Sequence, residues 1–292
     1  MEPFICSIGS ASTRGRCILE IYEGKRRVMH VLQALNILMV GDVVGDAGCA
    51  ALRAHLPVLK KWKSVDVTVV NGENSAAGNG VTAASARHLF DSGADVITTG
   101  NHVWKRPEAQ PLLDKNETIL RPANFPDSAP GHGICILDKG YAQVAVFNWQ
   151  GVVYLENLAC PFETADKLIE QAKAAGIKII LCDFHAEATA EKRAVASYLD
   201  GRVSVFAGTH THVQTADEQI LPGGTAFITD LGMCGPINSV LGVKTEQAVR
   251  RMKEKLPVRF EHADGPCHID AALFTVDRAT GRATGVERIQ VT

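Results

Sequence analysis

Residues 36–45 read NILMVGDVVG: an apolar run that stops at a carboxylate. The pattern recurs in VTVVNGEN (67–74), VITTGNH (96–102), IILCDFH (179–185) and VFAGTHTH (205–212). Each apolar run is short and rich in β-branched residues, as buried strands are, and each ends in turn-forming or polar residues. The runs therefore place Asp42, Glu73, Asn74, Asn101, His102, His185, His210 and His212 at the carboxyl ends of predicted strands. Sites in open α/β sheets form in the crevice outside that edge. Metal-ligand side chains gathered there, expected on one sheet edge, read as a two-metal hydrolytic centre, and such a centre largely decides the reaction class.

Outward from these runs, strands and helices alternate. Helices are predicted near 46–61, 82–92, 163–175 and 189–200, with Pro57 breaking or kinking the first and Gly176 after the third as its cap. Further strands are predicted at 133–138 and 142–149, paired antiparallel across Lys139-Gly140, and at 225–229, 269–276 and 284–291. Five prolines between 105 and 132 predict loops and short helices. LPGGT (221–225) reads as a hairpin turn, and SAAGNGV is no P-loop, because no Gly-Lys-Ser/Thr follows. The fold class is α/β: a layered sandwich of mixed sheets flanked by helices, with parallel crossovers first and antiparallel strands later. Residues 36–292 form one domain. Residues 1–35 form an extension, read as disordered or as preceding a true start near Met29, with a transit-like arm as a third reading.

The motifs carry different chemistry. Asp42 in GDVVG is placed for a hard cation, or as a cap on the next helix. In NGEN, Asn71-Gly72 explains a turn but not Glu73-Asn74, where a Glu can bridge two cations and the Asn amide oxygen can ligate or hold a phosphate. In TTGNHVW, Gly100 lets the backbone turn, Asn101 offers an amide oxygen, and His102 is free to give a proton to a leaving group. His185 is a nitrogen ligand by type. Glu187, two residues on, reads first as a solvated carboxylate and second as a partner for an imidazole. His210 and His212 are two apart, so in extended chain both rings reach one cluster, with Gly208 allowing a turn before them. His30, His55, His88, His132, His262 and His268 read as surface or structural.

Composition narrows the rest. Lys+Arg 30 against Asp+Glu 32, in 292 residues, leaves a formal charge of −2, which gives no global field for duplex nucleic acid. No apolar run approaches the roughly 20 residues of a membrane span. Residues 1–28 have no apolar h-region, so a secretory signal is not read there, and a cytoplasmic location is expected. Eight cysteines without a CxxC pair fit reduced thiols.

GD, GEN, GNH, DFH and GTHTH, in that order, resemble the calcineurin-like metallophosphoesterase superfamily, whose pattern is D-x-H, GD, GNH, H and GHxH. The departures are Val44 in place of the first His, Glu73 in place of the bridging Asp, and GTHTH in place of GHxH. They match the YmdB-like branch, as do NGENSAAGNG, ENLACPF, DFHAEATAEK, GTHTHVQTAD and ITDLGMCGP. The resemblance implies a phosphodiesterase acting on 2′,3′-cyclic nucleotides and related phosphodiesters through a metal-bridging hydroxide, with His102 as general acid. Asp42, Glu73 and His212 would hold one cation. Glu73, Asn101, His185 and His210 would hold the other, with Asn74 beside the first, where Val44 offers no ligand. The cations would be iron or manganese, and a homo-oligomer is implied. The ligands alone leave open a phosphomonoesterase or phosphoprotein phosphatase, and a regulatory protein whose metal fold serves RNA or partner binding.

Overall fold

The structure, a computed structural model, describes residues 19–21, 28–30 and 34–292. The chain divides into two compact units, Met1–Gln33 and Ala34–Thr292. In the first, β1 (Leu19–Ile21) pairs antiparallel with β2 (Val28–His30). The expectation of a disordered extension or a later start falls mostly outside the described residues.

The second unit runs β3 (Ala34–Val40), β4 (Asp42–Val43), α1 (Gly45–Trp62), β5 (Val67–Asn71), α2 (Ala83–Ser92), β6 (Val96–Thr98), α3 (Ala109–Lys115), β7 (Ile134–Asp138) and β8 (Gln143–Gln150). It continues with α4 (Pro161–Ala174), β9 (Ile179–His185), α5 (Thr189–Leu199), β10 (Val205–Thr209), β11 (Gln219–Ile220), β12 (Ala226–Ile228), β13 (Met233–Pro236), α6 (Thr245–Glu254), β14 (Cys267–Asp277) and β15 (Ala283–Val291). A seven-stranded sheet has the order β4-β13-β14-β3-β5-β6, with β15 beside β14, and a six-stranded sheet the order β11-β12-β10-β9-β8-β7. Around the site the strands are parallel: β3 to β5 to β6 in one sheet, β9 to β10 in the other.

Strand periodicity builds the layers. In β3, Leu35, Ile37 and Met39 join the core between the sheets, while Leu38 and Val40 meet Leu52 and Leu56 of α1. In β9, Ile179 and Leu181 join the same inter-sheet core, while Ile180, Cys182 and Phe184 pack with Leu168 of α4 and Val195 of α5. Alternate residues of a strand share a face, so the protein is the expected layered sandwich. The same parity carries the inter-sheet face onward through Asn71, Thr98, Asp183, His185 and Thr209, all buried. The core layer thus ends in polar side chains where both sheets present carboxyl-terminal strand ends.

Three expectations change. The site residues lie on two facing sheet edges, because Asp42, Glu73 and Asn101 follow or lie on strands of the seven-stranded sheet and the histidines at 185, 210 and 212 end or follow strands of the six-stranded one. Antiparallel β7 and β8 precede the parallel pair β9 and β10. Pro57 does not end α1, which runs through it for 18 residues. The buried stripe Leu52, Leu56 and Leu59 holds that helix against its sheet and outweighs the missing hydrogen bond. Pro57 is itself exposed. Among the described residues no helix is long and apolar enough to cross a membrane. Pro57→Ala is expected to raise unfolding stability by about 1–3 kcal/mol, since an interior proline costs about 3 kcal/mol relative to alanine but also restricts the unfolded chain. Urea denaturation of the two proteins checks this, and a loss of stability would mean the proline is positively accommodated.

Candidate active site

The predicted site residues converge. His185 Nε2 lies 3.0 Å from Asn101 Oδ1, 3.1 Å from His210 Nδ1 and 3.7 Å from Glu73 Oε1. Beside this group, Asp42 Oδ1 lies 3.6 Å from His212 Nε2, and Asn74 Nδ2 is 3.1 Å from the same nitrogen and 3.4 Å from Asp42 Oδ1. The His210 backbone N–H donates to Asp42 Oδ2 at 3.1 Å and joins the two groups. His102 reaches both Glu73 and its neighbour: its backbone N–H donates to Glu73 Oε1, and its Nδ1 lies 3.0 Å from Asn74 Oδ1. Rotated half a turn, the Asn74 amide would offer its oxygen to the Asp42–His212 group.

Each ligand-type imidazole is oriented from outside. His185 Nδ1 sits 2.9 Å from Thr209 Oγ1, whose own hydrogen goes to Asp183 Oδ1 at 2.7 Å, so the ring donates to the threonine. His210 Nε2 faces Glu187 Oε2 at 2.9 Å, and His212 Nδ1 faces the Leu241 carbonyl at 3.0 Å. An acceptor on the outer nitrogen sets the tautomer and turns the other nitrogen inward. Glu187, read first as a solvated carboxylate, is thus an imidazole partner. His210 and His212 stand at φ 104 and φ 63, backbone conformations rare outside glycine and typical of constrained functional sites.

Charge is poorly balanced inside this cluster. Glu73 Oε2 is buried and has no hydrogen-bond partner among the described residues. Burial, followed by the charge of Asp42, pushes the Glu73 carboxyl up to about 8 against the backbone N–H groups that oppose it. Burial would raise Asp42 as well, but His212 and His185 beside it hold it below the usual carboxylate range. Burial depresses His212, yet Asp42 outweighs it and lifts the imidazole to about 9. His185 is pushed well down by burial, and His102 is pushed down to about 4 by burial and then by His210. At neutral pH the site therefore holds protons on Glu73 and His212.

The donor set fits cations. Donors bound about 2.0–2.2 Å from one cation in adjacent positions stand roughly 3 Å apart, and the inward atoms have such spacings. No group of three or more His, Cys, Asp or Glu among the described residues forms a metal cage by those types alone. The Asn101 oxygen stands with His185 and His210, and the Asn74 amide with Asp42 and His212.

Several supporting residues escape a linear reading. Asp183 accepts from Asn71 Nδ2 at 3.0 Å and from Thr98 Oγ1, both on the seven-stranded sheet, and from Thr209 on its own. Lys192, fully buried on α5, pairs with buried Asp230 at 2.7 Å. Asp230 Oδ2 also accepts the Thr211 N–H at 3.0 Å, which fixes the backbone between His210 and His212. Lys192 in an amphipathic helix gives no signal of this; the charge is visible only as a lysine three residues after Thr189. Gly100 and Gly208 do not turn at positive φ, contrary to expectation. They allow close approach: a Cβ on Gly100 would stand 2.1 Å from the His185 ring, and one on Gly208 would stand 1.9 Å from the Thr229 carbonyl.

The fold and these motifs define a metallophosphoesterase-type protein. A family model described as YmdB-like protein matches residues 38–289, and the chain belongs to that family. It is 45% identical over 257 residues, 88% of this chain and 97% of the relative, to a Bacillus subtilis (strain 168) protein named 2′,3′-cyclic-nucleotide 2′-phosphodiesterase. A crystal structure of a hypothetical protein from Thermus thermophilus superposes with TM-score 0.83 at 35% identity, over 88% of this chain and 99% of that one. One of a novel phosphatase from Mycoplasma pneumoniae gives 0.84 at 31% identity, over 89% and 94%.

Removing Lys192 alone leaves Asp230 charged and unpaired in the core. Lys192→Met is expected to cost about 3–5 kcal/mol, with Lys192→Met/Asp230→Leu recovering much of it. Urea unfolding of the single and double variants measures this, and equal stabilities of wild type and single variant would contradict the buttress.

Proposed function

We propose that this chain is a metal-dependent phosphodiesterase that opens 2′,3′-cyclic nucleotides and related phosphodiesters. One observation carries the reading: inward nitrogens of three outward-anchored imidazoles gather with two buried carboxylates, one with an oxygen that has no partner among the described residues. A hydrophobic core does not assemble such a cluster without a positive charge for it to hold. The name of the Bacillus subtilis relative supports the substrate class.

In this reading Asp42, Glu73 and His212, with Asn74 turned to present its oxygen, hold one cation. Glu73, Asn101, His185 and His210 hold the second. Mixed nitrogen and oxygen donors suit iron or manganese. The cations supply Lewis-acid polarisation of the phosphoryl group and lower the pKa of water. His102 supplies the proton. With Asn74 so turned, its Nδ2 faces His102 Nδ1, which accepts from it, so Nε2 carries the proton and is the atom left to face the departing ribose oxygen. Burial keeps its proton affinity low, and the anionic diester beside it raises that affinity when substrate is present. Asn74 therefore has two duties, orienting His102 and lying against the Asp42–His212 group.

His102→Ala is expected to lower kcat for 2′,3′-cyclic AMP by about 10²–10⁴-fold while two metals per chain remain by elemental analysis; loss of a metal with the activity would make His102 a ligand. His210→Ala is expected to lose one of the two metals, and full occupancy would remove that assignment. The protons on Glu73 and His212 must leave when cations enter. Manganese affinity is therefore expected to rise with pH from about 6 to 8, with proton release visible by calorimetry in buffers of different ionisation heat. A pH-independent affinity would mean that neither group is displaced. The substrate class itself is tested by rates on 2′,3′-cyclic AMP against p-nitrophenyl phosphate with Mn²⁺. A preference for the monoester would favour a phosphomonoesterase.

A further inference from the structure

The cavity that opens onto His102 and His212 has a volume of about 280 Å³. Four more of its lining residues have no part in holding cations or moving the proton: Asn79, His262, Leu241 and Val243. They come from three segments, after β5, between β13 and α6, and between α6 and β14, and His262 reads from sequence as structural. We propose that Asn79, held in place by His262, clamps the sugar of the nucleotide through its free Nδ2, with Leu241 and Val243 as the apolar surface beneath its base. The inference rests on the phosphodiesterase reading and names which part of the substrate is recognised, and by what.

The clamp is built firmly. Asn79 stands at φ 70 in the loop after β5, its N–H bonded to the Ala76 carbonyl at 3.0 Å and its own carbonyl held by Arg106 Nε at 3.1 Å. His262 Nε2 lies 3.2 Å from Asn79 Oδ1. The ring rests over Gly45, where a Cβ would stand 2.3 Å from Nδ1. With its oxygen taken by the imidazole, the Asn79 amide keeps Nδ2, which has no hydrogen-bond partner among the described residues although the side chain is half-buried. A donor held in place beside a reactive site and left unused suits a ligand hydroxyl or ring oxygen. Leu241 is the matching apolar element. It is held at φ 54 and 47% exposed, while its carbonyl accepts from His212 Nδ1. A loop leucine kept in that conformation with its side chain in the open gains nothing from burial in the protein. A base stacked against it would cover it.

The geometry orders the substrate. The phosphate belongs beside His102 and His212, so the remainder of the diester must extend along the cavity past Asn79 and His262. A diester without a sugar makes none of these contacts.

The test uses the Mn²⁺-loaded full chain. Dissociation constants are measured for adenosine 3′-monophosphate and for inorganic phosphate, and kcat/KM for 2′,3′-cyclic AMP and for bis(p-nitrophenyl) phosphate. His262→Ala and Asn79→Ala are each expected to weaken the nucleotide about tenfold relative to phosphate, and to lower the cyclic-nucleotide to synthetic-diester ratio by a similar factor. His262→Gln, which keeps a donor, is expected to recover most of the loss. Parallel weakening of nucleotide and phosphate, or no change in nucleotide affinity, would overturn the clamp. If wild type bound the nucleotide through these residues but left the cyclic phosphate intact, the clamp would stand and the phosphodiesterase reading would fall.

Discussion

The carboxyl group of Asp183 is where the two sheets are tied together. It is buried at the end of the inter-sheet core, and it takes hydrogen bonds from Asn71 and Thr98 of one sheet and Thr209 of the other. Its burial pushes it up to about 7, against these donors. Both sheets contribute site residues, so the spacing of Glu73 to His185, and of Asp42 to His212, depends on how the sheets are placed on one another. A strand advances about 3.3 Å per residue and reverses its faces at each step. A slip of one residue would separate the two parts of the site and turn polar groups into the core. The tie also reaches the site directly: Thr209, which donates to Asp183, accepts from His185 Nδ1 and so sets which nitrogen of that ring faces inward.

Beyond that tie, the site is organised by an electrostatic conflict. Carboxylates and imidazole nitrogens are brought within a few ångströms in a buried place, and protons on Glu73 and His212 offset the conflict when nothing else does. In the proposed reading, cations of higher charge would replace those protons and turn the conflict into binding. The backbone shares the cost. His210 and His212 are held at positive φ, and the buried Lys192–Asp230 pair grips Thr211 between them. The segment that aims these rings is thus fixed by groups that never touch them.

Much of this was legible in the chain because two periodicities coincide at each strand end. Runs such as ILMV and VTVV announce buried strands, and the ligand-type residue follows at the end where α/β sites form. The parts that were not legible have physical reasons. Helix α6 buries only Ala248, so TEQAVRRMKE shows no apolar stripe. Strand β13 is Met-Cys-Gly-Pro, a composition that reads as a turn and is a strand only through its pairing with β14 and β4. The number of sheets depends on pairing between distant strands, which local pattern does not encode. Gly100 and Gly208 were recognisable as special, but for the wrong reason, since a close contact with His185 or Thr229 exists only after folding. His262 lies in a segment with no pattern around it and gains its place from a bridge to Val243, from Gly45 and from Asn79.

The central claim, that these residues form a two-cation centre bridged by Glu73, is tested most directly by anomalous diffraction at the manganese edge from crystals grown with Mn²⁺. Two peaks roughly 3.5–4 Å apart are expected, on either side of the Glu73 carboxylate. One would lie against Asp42 and His212 and the other against Asn101, His185 and His210. A single peak, or none within reach of Glu73 in fully loaded protein, would contradict it.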